Sequence, residues 1–147
     1  MGVPYYRSVS GLRFECTGCG ACCTRPGPVY LPPEDLARAA AFLSLTPAAF
    51  RRRYRVHRVD GVPAIDPGDT EPCPFHDEAQ GCTIYEARPT QCRTFPFWPE
   101  VVHRKGSWER AARDCEGIGR GPRHQPVEIE QALIFCEEVG LPEGDPW

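Results

Sequence analysis

The chain has 147 residues, a hydrophobic fraction of 41% and a formal net charge of −3. This length predicts one domain with a single core, while 17 prolines and 14 glycines predict much irregular backbone. The acidic balance excludes a general electrostatic attraction to nucleic acid, and the sequence offers neither an N-terminal signal segment nor a run of about 18 apolar residues. We therefore expect an unexported cytoplasmic protein with no membrane or nucleic-acid partner.

The first feature along the chain is a dense run of cysteines. Thiolates at Cys-x-x-Cys spacing can converge on one metal ion, and Gly18 and Gly20 supply the positive φ angles that such tight turns use. The total of nine cysteines is odd and fits a disulfide framework poorly, because pairing would leave one thiol over. The run therefore predicts metal binding in a reducing compartment. Its members are Cys16, Cys19, Cys22 and Cys23.

Two helices are predicted next. The first opens at Pro32 with prolines and carboxylates in its first turn and continues at helical spacing to Leu43. The second runs from Pro47 to about Tyr54 with Thr46 as its N-cap. Its basic end, residues 51–55, is interpreted as a solvated helix face, with an anion or RNA patch as the alternative.

The middle of the chain is predicted to be irregular. Residues 56–65 indicate two short strands around an Asp60-Gly61 turn, and Pro63 predicts that the second strand lies at a sheet edge. Residues 82–88 predict a helical turn that ends at Pro89, and Pro89 is well placed to begin a short helix through Cys92.

Two further helices are predicted, over residues 108–114 with Ser107 as N-cap and over residues 126–139. The second carries Cys136 on its apolar stripe, so we interpret Cys136 as a core residue and leave it out of the ligand set. The predicted fold class is mainly α with irregular loops and one short β-hairpin. We expect one small domain over residues 1–147, organised by metal.

Eight cysteines remain as candidate ligands, enough for two four-ligand sites or for one cluster with accessory thiols. Adjacent Cys22 and Cys23 carry diverging side chains, which favours two neighbouring metals, but the partition stays open. Thiolates suit zinc and iron–sulfur clusters alike, so the metal also stays open. His76 follows Cys73 at Cys-x-x-His spacing, and we interpret it as a polar loop residue with metal ligation as the alternative.

Four motifs in the sequence carry a family resemblance. They are Phe14-x-Cys-x-x-Cys-Gly-x-Cys-Cys23, Cys73-Pro74, Gly81-Cys-x-Ile-Tyr-x-x-Arg-Pro-x-x-Cys-Arg-x-Phe-Pro96 and Cys115-x-Gly117. Over residues 14–119 the chain resembles the bacterial and archaeal YkgJ-type cysteine-cluster family, the CxxCxxCC domain of zinc- or iron-chelating proteins. The resemblance implies no established reaction. It implies metal ligation by Cys16, Cys19, Cys22, Cys23, Cys73, Cys82, Cys92 and Cys115.

Together these observations predict a protein that holds zinc or an iron–sulfur cluster, with the metal at least structural. One alternative is an iron–sulfur-dependent enzyme with a redox activity or an activity on a protein or peptide. No catalytic residue is identified, because the sequence has no Ser-His-Asp order, phosphate loop or His-Glu-x-x-His helix. Another alternative is an interaction module that presents residues 51–55 or the aromatic segment 95–98 to a protein partner.

Overall fold

The computed structural model describes residues 2–18, 27–68 and 71–144. In these ranges the helices are α1 (Tyr5–Ser8), α2 (Pro33–Phe42), α3 (Pro47–Arg53), α4 (Thr90–Thr94), α5 (Pro99–Val102), α6 (Lys105–Asp114) and α7 (Pro126–Glu138), with a short 3-10 helix at Tyr85–Ala87 before α4. The strands are β1 (Leu12–Phe14), β2 (Val29–Tyr30), β3 (His57–Val59), β4 (Val62–Ile65), β5 (His76–Asp77), β6 (Gly81–Cys82) and β7 (Ile118–His124).

The prediction of a mainly α fold is wrong. Of the described residues, 42% lie in helices and 17% in strands, so the fold is mixed α and β. The strands form small antiparallel sheets in the orders β1–β7, β2–β4–β3 and β5–β6. Several of these strands have only two or three residues, which is too short for an alternating apolar pattern to be recognised in the sequence.

The chain divides into two compact units. One is formed by Met1–Thr17 together with Thr94–Trp147, and the other by Gly18–Arg93. The first unit is therefore discontinuous in sequence, with the second inserted in it. The organisation as one domain stays a prediction.

The first unit is built on the β1–β7 ladder. Leu12 pairs with His124 and Phe14 pairs with Ile118, with an irregularity of register between Arg13 and Phe14. Helical segments pack beside this ladder and bury a shared apolar cluster. The cluster contains Tyr6, Leu12, Phe97, Val101, Val102, Trp108, Ala111 and Ile129.

The second unit contains the β2–β4–β3 sheet. The hairpin around Asp60 and Gly61 forms as predicted, and both residues have positive φ, of 52° and 80°. The prediction of an edge position for β4 is wrong, because β4 lies between β2 and β3. Proline is tolerated there because the Pro63 carbonyl still accepts from the Leu31 N–H at 2.7 Å, so only one donor is missing from the ladder.

A second apolar cluster lies under this sheet and under helices α2 and α3. The Phe50 ring stacks on the Phe75 ring with 6.1 Å between centroids, and Ile84 is fully buried beside them. Cys73 is a buried member of the same cluster, and Cys82 packs against it. Two candidate ligands therefore border the core of this unit.

The helix ends follow local signals in two cases and depart from them in one. As predicted, Thr46 caps α3, since its Oγ1 accepts from the Ala49 N–H at 3.1 Å. At the start of α7 the Gln125 N–H donates to Oε1 of Glu128 at 3.1 Å, and this hydrogen bond lowers the pKa of Glu128. The predicted Ser107 cap is wrong, because α6 begins at Lys105 and Ser107 is buried inside its first turn.

Within the described ranges, no helix combines the length and the apolar character needed to cross a membrane.

Candidate metal centre

Cys16 and Cys115 flank the same end of the β1–β7 ladder in the first unit. Next to this end the Glu15 N–H donates to the Gly117 carbonyl at 3.1 Å. Gly117 is required at this position, since an added Cβ would overlap the Glu15 carbonyl oxygen. Cys16 is exposed and Cys115 is half-buried. The ladder therefore brings two cysteines from distant parts of the sequence to one edge of the unit.

The chain around Cys115 is fixed by short-range hydrogen bonds. The Cys115 N–H donates to the Ala111 carbonyl at 3.0 Å at the end of α6, and the Cys115 carbonyl accepts from the Ile118 N–H at 3.3 Å. The hydroxyl of Thr17 donates to Oε1 of Glu116 at 2.5 Å. Residues adjacent to each of the two cysteines are thus joined directly.

The positive φ predicted for Gly18 is confirmed, with a value of 70°, whereas Gly20 lies outside the described residues. The φ of Gly18 lies in the left-handed region that glycine adopts without a steric penalty. The remaining three cysteines of the run, Cys19, Cys22 and Cys23, lie outside the described residues.

Cys82 lies on β6 of the β5–β6 hairpin in the second unit, and Cys73 lies in the turn that leads into β5. The Cys73 carbonyl accepts from the His76 N–H at 2.9 Å, which closes a turn, and His76 is then the pairing partner of Cys82. Asp77 stabilises the loop of the hairpin, because its Oδ1 accepts hydrogen bonds from the N–H groups of Ala79 at 2.8 Å and Gln80 at 2.9 Å. Cys73 is 8% exposed, whereas Cys82 is half-buried.

Cys92 lies in α4, and a buried carboxylate fixes the start of that helix. Oδ2 of Asp35 accepts from the Thr90 N–H at 2.8 Å, and its Oδ1 accepts from the Thr90 hydroxyl at 2.9 Å. Arg38 donates to the same carboxylate at 2.6 Å and to the Arg88 carbonyl at 3.0 Å. Asp35 is 2% exposed, so water competes little for the charge-assisted hydrogen bonds of its carboxylate, which we call the Asp35 anchor.

Gln91 ties α4 to the segment that follows the cysteine run. Its Oε1 accepts from the Tyr30 N–H at 2.8 Å, and its Nε2 donates to the Pro28 carbonyl at 3.3 Å. The residue before Cys92 is therefore fixed against a strand that begins only six positions after Cys23 in the sequence.

Arg88 of the Tyr-x-x-Arg-Pro motif makes local contacts. Its Nε donates to the Tyr85 carbonyl at 2.8 Å, and its guanidinium lies 3.7 Å from the centroid of the Tyr85 ring. This cation–π contact and hydrogen bond give the Arg88 side chain a structural role in the turn before α4.

Within the part of the chain that the structure describes, no three His, Cys, Asp or Glu side chains lie close enough together to hold a metal ion. This range lacks three of the eight predicted ligands. The ligand set Cys16, Cys19, Cys22, Cys23, Cys73, Cys82, Cys92 and Cys115 therefore stays a prediction.

Sequence reasoning missed the two polar anchors, Asp35 and Gln91. A signal for Asp35 was present, because it precedes Ala39 by four residues and so lies on the predicted apolar stripe of α2. A carboxylate on such a stripe is buried only with partners. Gln91 gave no comparable signal, since a glutamine in a short helix is ordinary surface composition.

Cys136 is buried on α7, as predicted. It is 6% exposed, and its Sγ lies 3.2 Å from Oγ1 of Thr94, which also accepts from Nε1 of Trp98 at 3.1 Å. Its surroundings are those of a small core residue, and they include the polar contact with Thr94.

We expect Cys136→Ala to keep the full metal content of the parent protein and to lower the free energy of unfolding by about 1 kcal/mol, because it removes packing and the contact with Thr94. Metal analysis and denaturant unfolding measure the two quantities. Loss of metal in Cys136→Ala would place this thiol among the ligands instead.

Comparison with known proteins agrees with the cysteine pattern. A family model named CxxCxxCC, described as a putative zinc- or iron-chelating domain, matches residues 15–116. An uncharacterised protein of Methanocaldococcus jannaschii is 30% identical over 143 residues, which cover 92% of this chain and 75% of that protein. No solved structure gives a significant match. The predicted resemblance is confirmed: the chain belongs to the CxxCxxCC family, whose description supports metal binding by this protein.

Proposed function

We propose that this protein holds zinc or an iron–sulfur cluster through the eight cysteines of the predicted set, and that the metal is at least structural. The observation that carries the proposal is that backbone pairing between strands places candidate cysteines near one another in two parts of the structure. Cys16 and Cys115 flank one ladder end, while Cys82 lies on β6 and Cys73 in the turn that leads into its partner strand β5. The donors fit the group chemically, since thiolates are ligands for zinc and for iron–sulfur clusters.

The small size of the elements around these cysteines supports a structural role for the metal. The β5 and β6 strands have two residues each and α4 has five, and elements this short have little stability of their own. A bound metal would cross-link segments that are distant in sequence. Apparent binding energies of about 10–16 kcal/mol for structural zinc equal or exceed the net stability of about 5–15 kcal/mol of an ordinary domain.

The test is metal and acid-labile sulfide analysis of anaerobically purified protein, combined with its absorption spectrum. We expect stoichiometric metal in the parent and a clear loss in Cys16→Ser and Cys92→Ser, because a serine hydroxyl is a much poorer ligand for these metals. Cys136→Ser is the matched control and should keep its metal.

The outcomes separate the alternatives. A colourless protein with stoichiometric zinc favours the structural centre, whereas a brown protein with acid-labile sulfide favours an iron–sulfur centre and the redox or protein-modifying alternative. A parent without metal, or equal metal in all the cysteine variants, would contradict the proposal.

A further inference from the structure

The β5–β6 hairpin places an imidazole between two candidate ligands. His76 is opposite Cys82 across the antiparallel pair, and side chains in such a pair lie on the same face with Cβ atoms about 4.5–5.5 Å apart. The turn closed by the hydrogen bond from the His76 N–H to the Cys73 carbonyl adds the second cysteine at Cys-x-x-His spacing. Backbone geometry alone therefore makes these residues neighbours.

The Nδ1 atom of His76 is buried and has no hydrogen-bond partner among the residues that the structure describes. The other histidines differ in this respect. Nδ1 of His57 lies 3.1 Å from a carbonyl oxygen, Nδ1 of His103 lies 2.8 Å from one, and Nδ1 of His124 lies 3.4 Å from a carboxylate. A buried polar atom left unpaired costs about 1–3 kcal/mol. Because this unpaired atom lies on a hairpin next to Cys73 and Cys82, we expect that a bound group contacts Nδ1.

We propose that His76 is a nitrogen ligand of the metal centre, bound through Nδ1 next to the thiolates of Cys73 and Cys82. The proposal rests on the proposed metal-binding function and adds a ligand that the eight-cysteine set does not contain. Since these donors are not gathered at bonding distance in the described geometry, binding requires their side chains to rotate toward a shared ion.

The charge of the hairpin favours a neutral ligand. Four thiolates around a divalent ion already give a net charge of about −2, and an imidazole ligand adds no further negative charge. Asp77 and Glu78 follow His76 directly and add negative charge. An imidazole ligand therefore adds no repulsion between the centre and its own loop and requires no additional cation.

The test is X-ray absorption spectroscopy at the metal edge of the full chain, either as purified or loaded with Zn²⁺ under reducing conditions. For a zinc-loaded parent we expect nitrogen scattering at about 2.0–2.1 Å in addition to sulfur at about 2.3 Å. His76→Cys should keep the metal but lose the nitrogen contribution. His76→Ala should lower the metal affinity, measured by chelator competition, by about tenfold or more.

His57→Ala is the matched control, because His57 is exposed on β3 and should leave both the spectrum and the affinity unchanged. If the parent binds metal through sulfur only, or if His76→Cys keeps its nitrogen contribution, the assignment of His76 is wrong. The proposed metal-binding function would not be affected by either result. Absence of metal from the parent would overturn the proposed function as well, so the two failures are distinguishable.

Discussion

Removal of the metal by a chelator is expected to destabilise the protein by about 10 kcal/mol or more if the bound metal is zinc. The reason is that Cys82 lies on a strand of two residues and Cys92 in a helix of five, and elements this short depend on links between them. For a chain of this size the corresponding fall in melting temperature is about 20 °C or more. Thermal unfolding followed by circular dichroism, before and after chelation under reducing conditions, measures it.

Two controls make this result specific to the metal. Adding Zn²⁺ back to the chelated protein should restore the melting temperature, because the lost stability is binding energy. Cys92→Ser should melt close to the chelated parent and respond weakly to further chelator. If the chelated parent melts at the temperature of the metal-loaded protein, the metal has no structural role.

Local signals explain which elements the sequence predicted correctly. The α2, α3 and α7 helices each combine proline in the first turn with helical spacing of apolar residues, and both kinds of signal lie within the element itself. The hairpin at Asp60-Gly61 was predictable for the same reason, since its turn residues favour positive φ.

The longest of the missed strands, β7, depends on a distant partner. The β7 strand contains Gly119, Gly121 and Pro122 and has no alternating apolar pattern, so nothing local distinguishes it from a loop. It becomes a strand because β1, more than a hundred residues earlier in the sequence, provides its hydrogen-bond partners. Pairing over such a separation is a tertiary effect, and this explains why the mainly α prediction failed.

The candidate site also combines features that are local in sequence with features that depend on distant partners. Spacing between cysteines is a local property, and it predicted the family correctly. The supports of the site are not local: Asp35 in α2 fixes Thr90, and Gln91 binds residues near Pro28. These contacts join segments that sequence spacing cannot relate, so the residues that position Cys92 were found only in the structure.

The Asp35 anchor yields the second large expected effect. Asp35→Ala should lower the free energy of unfolding by about 3 kcal/mol, because it removes a buried carboxylate and leaves the Thr90 donors without their acceptor. Asp35→Asn should cost less, since the amide oxygen can still accept from the Thr90 N–H. Denaturant unfolding measures both losses. Glu34→Ala is the matched control, because Glu34 lies in the same first turn but is exposed.

The same variants test whether this anchor serves the metal centre. Cys92 lies two residues beyond Thr90, so a loosened start of α4 changes where its thiolate can reach. If Cys92 is a ligand, Asp35→Asn should hold zinc about 10- to 100-fold more weakly than the parent, in line with the loss of an outer support of a metal site. Glu34→Ala should bind zinc as the parent does. An Asp35→Asn protein that is less stable but binds zinc with the affinity of the parent would assign Asp35 to folding alone and separate α4 from the metal centre.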